Sequence, residues 1–128
     1  TDSLSLFRSM RKEFNEIFSN NLNSQFIIFG ISEISEIAIL SANELNAEIV
    51  AVVDPNISKK LYFNIPVFKK MPENIKNFKV LICTTHNAQN DYFEMIKKFS
   101  KEKILAIDSL FISKEIPNFK PRKSYGKK

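Results

Sequence analysis

The stretch from Gln25 to Asp54 constrains the fold more than any other part of the chain. It begins with the apolar run QFIIF, which Gly30 ends, and it closes with a second run, EIVAVV, followed by Asp54. Between the two runs, residues 32–45 carry apolar side chains at helical spacing. This order, in which a strand is followed by a glycine turn, a helix, a second strand and an acidic residue, is that of the first βαβ unit of dinucleotide-binding folds. The sequence therefore predicts a Rossmann-like α/β domain.

An amphipathic helix is predicted ahead of this unit, over residues 3–20. Phe7, Met10, Phe14 and Ile17 follow the 3-4-3 spacing of a helical stripe. Such a stripe either packs on the domain's own sheet, or forms a dimer, or joins the domain to an upstream one. These alternatives are compatible with one another, because the stripe is broad.

The rest of the chain alternates between strand and helix patterns, which predicts parallel strands with right-handed crossovers. After the βαβ unit, an edge strand is predicted at 65–68, and residues 72–78 form no more than a short helix. A strand at 79–85, a helix over 89–100 and a strand at 103–107 follow. Residues 110–112 either continue that last strand or begin a turn. We expect a three-layer, wholly parallel sheet of order 3-2-1-4-5. The predicted divisions are an N-terminal linker or dimerisation helix (1–23), the Rossmann-like domain (24–113) and a basic, disordered tail (114–128).

The positive charge of the chain lies in the predicted tail. Residues 114–128 hold six basic residues and one acidic residue, which accounts for the whole net charge of +5. The remainder is neutral overall, so contact with DNA is expected only weakly through the tail, or through a missing upstream domain. Nothing approaches the roughly 20 apolar residues that a membrane span needs. The single cysteine, Cys83, is consistent with a reducing cytoplasm.

The loop that should bind a phosphate is altered. The fingerprint G-x-G-x-x-G here reads Gly30-Ile31-Ser32-Glu33-Ile34-Ser35, so only the first glycine is present. Ser32 can cap the helix that follows, and Glu33 places a negative charge where a pyrophosphate would approach. The loop therefore argues against tight binding of NAD(P) or of a nucleotide sugar, and the cofactor stays unknown.

The candidate ligand site is the crevice at the carboxyl ends of the predicted first and fourth strands. Gly30, Ile31 and Ser32, with Glu33 beside them, form one wall of the predicted site, and Thr84 and His86 form the other. Asp54 is expected at the far end, where it either binds ribose hydroxyls or caps the turn that begins with Pro55. The lone histidine has no partner pattern for a metal site or a catalytic triad, so no catalytic residue is predicted.

The chain also resembles known families. The segments FIIFGISEISEIAILSANELNAEIVAVVDPN, FNIPVF and KVLICTT resemble Rossmann-like domains at the N-termini of sugar acyltransferases and of nucleotide-sugar epimerases and dehydratases. With the preceding LFRSMRKEFNEIF, they are also similar to the C-terminal sensor domains of bacterial winged-helix transcription regulators. The resemblance covers about residues 4–112 and implies a nucleotide-binding type of fold.

Three functions follow as expectations. The first is a non-catalytic regulatory or ligand-sensing domain, the C-terminal part of a cytoplasmic transcription regulator that dimerises through its N-terminal helix. The alternative is an NAD(P)- or nucleotide-sugar-binding domain of an enzyme of polysaccharide or sugar metabolism. A stand-alone scaffold that binds only protein is the third. The altered glycine loop and the missing catalytic residues favour the first.

Overall fold

The structure, a computed structural model, describes residues 3–115, within which it contains four α-helices and six strands, besides a 3-10 helix over Lys101–Lys103. In chain order they are α1 (Ser3–Ser19), β1 (Gln25–Phe29), α2 (Glu33–Leu45), β2 (Glu48–Val53), β3 (Leu61–Tyr62), β4 (Ile65–Phe68), β5 (Phe78–Ile82), α3 (Ala88–Lys98), β6 (Ile104–Leu105) and α4 (Asp108–Glu115). The strands form one mixed sheet of order β3-β4-β2-β1-β5-β6. The α/β class predicted from the sequence is confirmed.

The βαβ unit β1-α2-β2 is the centre of the sheet. β1 pairs in parallel with β2 on one side and with β5 on the other. Phe26, Ile27 and Ile28 are all fully buried, so both faces of β1 are covered, as expected for a continuous apolar run in a parallel sheet. Asn46 ends α2 in the left-handed conformation (φ 57°), and its N–H bonds the carbonyl of Ala42.

The prediction of a wholly parallel, five-stranded sheet is wrong, although the strands numbered 3-2-1-4-5 correspond to β4-β2-β1-β5-β6, which lie in that order and pair in parallel. An additional strand, β3, lies at the edge and pairs with β4 in the antiparallel direction. The two strands are joined by Phe63 and Asn64, whose φ angles of 50° and 64° are those of a two-residue hairpin turn. Such turns favour Asn-Gly or Asp-Gly, and here a phenylalanine occupies the first position. The sequence pattern therefore did not separate β3 from β4.

The short helix predicted over 72–78 is absent, and the geometry of the sheet explains why. Residues 69–77 connect β4 to β5 across β2 and β1. At roughly 4.8 Å between strands and 3.3 Å per residue along them, this diagonal is about 20 Å long. Nine helical residues rise only about 14 Å, so the connection has to be extended. Right-handed helical crossovers need more residues than this segment has.

The C-terminal elements also differ from the prediction. β6 is shorter than the predicted strand at 103–107, and residues 110–112 belong to α4 rather than to a strand or a turn. The N-terminus of α4 is capped from α1: the carboxylate of Glu13 accepts hydrogen bonds from the N–H of Ser109 and from the Ser109 hydroxyl. That cap comes from a residue far away in sequence. Residues 116–128, most of the predicted tail, lie outside the described residues.

Helix α1 packs on the domain's own core. Met10, Phe14 and Phe18 are buried in the same apolar cluster as the central strands, and the Phe18 ring meets the Phe26 ring edge-on at 4.8 Å between centroids. Beside α2, Arg11 pairs with Glu44. The apolar surface of α1 is not wholly buried: Phe7 packs against this core but is only half-buried, and Leu4 is 55% exposed.

Candidate functional site

A crevice lies at the carboxyl ends of β1, β2 and β5, where the sequence predicts the ligand site. It encloses about 270 Å³. The predicted site residues that line it are Gly30, Ile31, Ser32, Asp54, Thr84 and His86. Glu33 does not line the crevice: it is exposed and borders a groove between α1 and α2 instead.

Ser32 uses its side chain on the protein itself. Its Oγ accepts hydrogen bonds from the N–H groups of Ile34 (3.0 Å) and Ser35 (3.4 Å), and the Ser35 hydroxyl accepts from the Ser32 N–H at 2.8 Å. This reciprocal arrangement is a capping box with serine in place of the usual glutamate or glutamine. The Ser32 hydroxyl also donates to the carbonyl of Cys83 at 2.6 Å. The cap expected from the sequence is present, and it ties α2 to the end of β5.

The Asp54 carboxylate is bound by two backbone amides. Oδ2 accepts from the N–H of Ile31 and Oδ1 from the N–H of Asn56, both at 2.9 Å, and the residue is only 8% exposed. The bond to Asn56 is an Asx turn, the turn-capping alternative raised by the sequence. The bond to Ile31 joins the loop after β2 to the loop after β1. The N–H that follows the first glycine of the fingerprint is thus already hydrogen-bonded to a carboxylate.

Gly30 brings the loops after β1 and β5 into contact. It has φ +104°, and its N–H donates to the carbonyl of Val53 at 2.8 Å. A Cβ at this position would lie 2.5 Å from Thr84 Cγ2 and 2.8 Å from the Thr84 backbone nitrogen. Only glycine fits both the backbone conformation and the available space.

The second wall of the crevice is more accessible. Thr84 donates its hydroxyl to the Asp91 carboxylate in the first turn of α3, at 2.7 Å. The next three residues, Thr85, His86 and Asn87, are exposed, and their side chains have no hydrogen-bond partner within residues 3–115. Asn87 precedes α3 without capping it through its side chain. These three side chains are therefore available to a ligand.

One residue near the site, Tyr62, was not predicted from the sequence. Tyr62, which is 7% exposed, places its hydroxyl 3.0 Å from the Ser35 hydroxyl and donates to the Ser32 carbonyl at 3.4 Å. Burial raises the pKa of the Tyr62 phenol, against the opposing effect of the Ser35 hydrogen bond. Its position depends on the unpredicted strand β3, which carries Tyr62 over the start of α2.

Cys83 is fully buried, and burial raises the pKa of its thiol, so it is not an activated nucleophile. Across residues 3–115, no group of three or more His, Cys, Asp or Glu side chains could hold a metal ion. None of the helices in that range is long and apolar enough to cross a membrane.

Compared with protein-family models, with curated proteins and with solved structures, the chain gives no significant match.

Proposed function

We propose that the chain is a non-catalytic, Rossmann-like regulatory domain that senses a small ligand, and that it forms the C-terminal part of a cytoplasmic transcription regulator. One observation carries the proposal. The backbone amides of the loop that would bind a phosphate already donate hydrogen bonds to the side chains of Asp54 and Ser32. The regulator assignment rests on the resemblance of residues 4–112. DNA would be contacted by an upstream domain, or weakly by the basic tail.

The hydrogen bonds of the loop support a sensing role over NAD(P) binding. A dinucleotide site offers free amides at the glycine turn and at the helix N-terminus to the pyrophosphate. Here a ligand phosphate would have to displace the Asp54 carboxylate from Ile31, and it would be repelled while doing so. The crevice, at about 270 Å³, is also below the roughly 300–1,000 Å³ of common ligand sites. A small polar ligand that contacts Thr85, His86 and Asn87 fits it better.

Isothermal titration calorimetry tests this proposal with NAD, NADP, coenzyme A and UDP-glucose. The wild type should bind each more weakly than about 1 mM, which corresponds to a free energy of about −4 kcal/mol. Ser32→Gly with Glu33→Gly restores the second glycine of the fingerprint and removes the negative charge of Glu33 from the start of α2. This variant should strengthen NAD binding, whereas the matched loop variant Ser58→Gly with Glu73→Gly should not. Micromolar NAD binding by the wild type would overturn the proposal in favour of the enzyme alternative.

The ligand class can be sought separately by NMR. Titration of a panel of small polar metabolites should shift amide signals of Gly30 and of residues 84–87, with His86→Ala reducing the response. Shifts that cluster elsewhere in the domain would contradict the proposed crevice.

Dimerisation through the N-terminal helix is the second part of the proposal. Leu4 and Leu40 are 55% and 48% exposed, and Phe7 and Leu40 line the groove that α1 forms with α2. Sedimentation velocity should show a wild-type dimer that Leu4→Glu with Leu40→Glu converts to a monomer. Leu61→Glu, at an equally exposed leucine on β3, is the control and should leave the dimer intact. A wild type that is monomeric at high concentration refutes this part.

A further inference from the structure

An open groove of about 1,100 Å³ runs along the face of the sheet that carries α3. We call it the α3 groove. One side is α3, and the other is the extended connection of residues 69–77 between β4 and β5. Its apolar lining consists mainly of Phe29, Val53, Met71, Phe78, Met95 and Phe99. This groove is separate from the crevice described above, and the inference drawn from it does not depend on the proposed function.

The groove lies where a doubly wound sheet normally carries a crossover helix. Parallel strands are usually joined by a helix that packs on the sheet, and the connection between β4 and β5 has too few residues for one. Phe78 pairs with Gln25, and Phe29 lies four residues further along β1. The floor therefore extends about 13 Å, which is the length of about nine helical residues. The apolar strip has the dimensions of two to three turns of an α-helix.

The rim of the groove is positively charged. Five lysines line it, Lys69, Lys70, Lys97, Lys98 and Lys103, against two glutamates, Glu73 and Glu94. Of these lysines, only Lys97 has an ion-pair partner within residues 3–115, namely Glu94 at 3.8 Å, and both side chains are largely exposed.

Two of the ammonium groups lie directly over the aromatic floor. Lys103 Nζ lies 4.5 Å from the centroid of the Phe78 ring and Lys98 Nζ lies 5.8 Å from that of Phe99. An apolar strip bordered by cations is complementary to a helix with one apolar face and acidic flanks.

We infer that the α3 groove binds an acidic amphipathic helix of a partner protein, which occupies the position of the missing crossover helix. The chain's own residues 116–128 do not suit the groove, since they carry five basic residues and no acidic one. Binding combines burial of the apolar face with ion pairs to the lysine rim, so it should weaken as the salt concentration rises.

Fluorescence anisotropy with designed 18-residue peptides tests this inference on the full chain. Three acidic probes present a Leu, Ile or Phe face with glutamate flanks. Their controls have the same composition in scrambled order, or lysine in place of glutamate. At least one acidic probe should bind at least tenfold more tightly than its scrambled and basic controls. Failure of all three up to 1 mM, or equal binding of acidic and basic peptides, overturns the inference.

Variants locate the binding surface. Lys97→Glu with Lys98→Glu should weaken peptide binding at least tenfold. Arg8→Glu with Lys12→Glu makes the same charge change on exposed positions of α1 and should alter it less than twofold. Ile75→Ser removes part of the apolar lining and should also weaken binding, with circular dichroism used to verify folding. Equal losses in the α3 and α1 variants would show non-specific charge attraction and overturn the inference.

Other occupants give different results. Wild-type self-association that is abolished by Lys97→Glu with Lys98→Glu, and not by Leu4→Glu with Leu40→Glu, would identify a second copy of the chain and overturn the inference. Dodecanoate binding in the absence of any peptide binding would identify a small amphiphile and overturn it as well.

Discussion

Replacing Gly30 with alanine should destabilise the fold by about 2–6 kcal/mol. One part is backbone strain: the φ of +104° is unfavourable for any residue with a Cβ, at a cost of about 1–3 kcal/mol. The other part is overpacking, typically about 1–3 kcal/mol, because the new Cβ would lie 2.5 Å from Thr84 Cγ2 and 2.8 Å from the Thr84 nitrogen. The Thr84 methyl group can move by rotation of its side chain, but the Thr84 backbone nitrogen cannot move without a shift of the main chain after β5.

Urea unfolding followed by far-ultraviolet circular dichroism measures this cost, with the same m-value required for both proteins. A double-mutant cycle with Thr84→Ser separates the two contacts. Serine keeps the hydroxyl that donates to Asp91 and removes Cγ2. It should therefore recover less than half of the loss caused by Gly30→Ala, while Thr84→Ser alone should cost little.

Two results would refute this reasoning. Stability of the Gly30→Ala protein within about 0.5 kcal/mol of wild type, the range of a neutral surface change, would show that the loops after β1 and β5 are not in contact. Full recovery by Thr84→Ser would show that neither the positive φ nor the backbone contact matters. The first result would show that the narrow crevice at this end of the sheet is wrong, and the second would show that the loss comes from the Thr84 methyl group alone.

Three further predictions concern the contacts that fix the crevice and the helices. Ser32→Ala should lower the free energy of unfolding by about 1–3 kcal/mol in urea titrations, because the α2 cap and the bond to the Cys83 carbonyl are both lost; an unchanged midpoint contradicts it. Glu13→Ala should accelerate hydrogen exchange of α4 amides by removing their cap, more than Glu13→Gln does; equal rates in all three proteins contradict it. The Arg11 side chain, through its hydrogen bond and its charge, holds the pKa of Glu44 below its ordinary value. The Arg11–Glu44 pair therefore stabilises the fold at pH values above the pKa of an unfolded glutamate. This stabilisation is lost as the pH falls through the lower pKa that Glu44 has in the folded protein. Carboxyl NMR titration should show the Glu44 pKa rising in Arg11→Gln, and an unchanged value would show that the pair is not formed in solution.

Local patterns predicted the centre of the fold correctly. The unit from Gln25 to Asp54 combines an apolar run, a glycine that must take a positive φ, a serine cap and a second apolar run, and each signal lies within a few residues of the structure that it specifies. The burial of α1 could also be anticipated from its 3-4-3 stripe, with Met10 and Phe14 in the core. In such elements, the residue propensities, the hydrophobic pattern and the tertiary packing all favour the same structure.

The parts that the sequence did not predict depend on distant residues or on geometry. The β3–β4 hairpin has Phe63 where glycine or asparagine is the recognisable signal. The start of α4 depends on Glu13, which on sequence alone looks like a solvent-facing residue of α1. The extended connection of 69–77 follows from the distance between two strands, and that distance is known only once the sheet order is known. None of these is a local property of the residues concerned.

The candidate site shows why a motif locates a crevice without identifying its ligand. Parallel strands bring their carboxyl ends to one edge, so Gly30, Ser32 and Asp54 had to meet there. Spacing does not determine where their hydrogen bonds go. The Ser32 and Asp54 side chains reach the amides of Ile34, Ser35 and Ile31 within one folded chain, so they bind them without the translational and rotational cost that a free pyrophosphate bears. A ligand therefore has to gain its affinity from groups that the protein leaves unpaired, and these lie on the wall that follows β5.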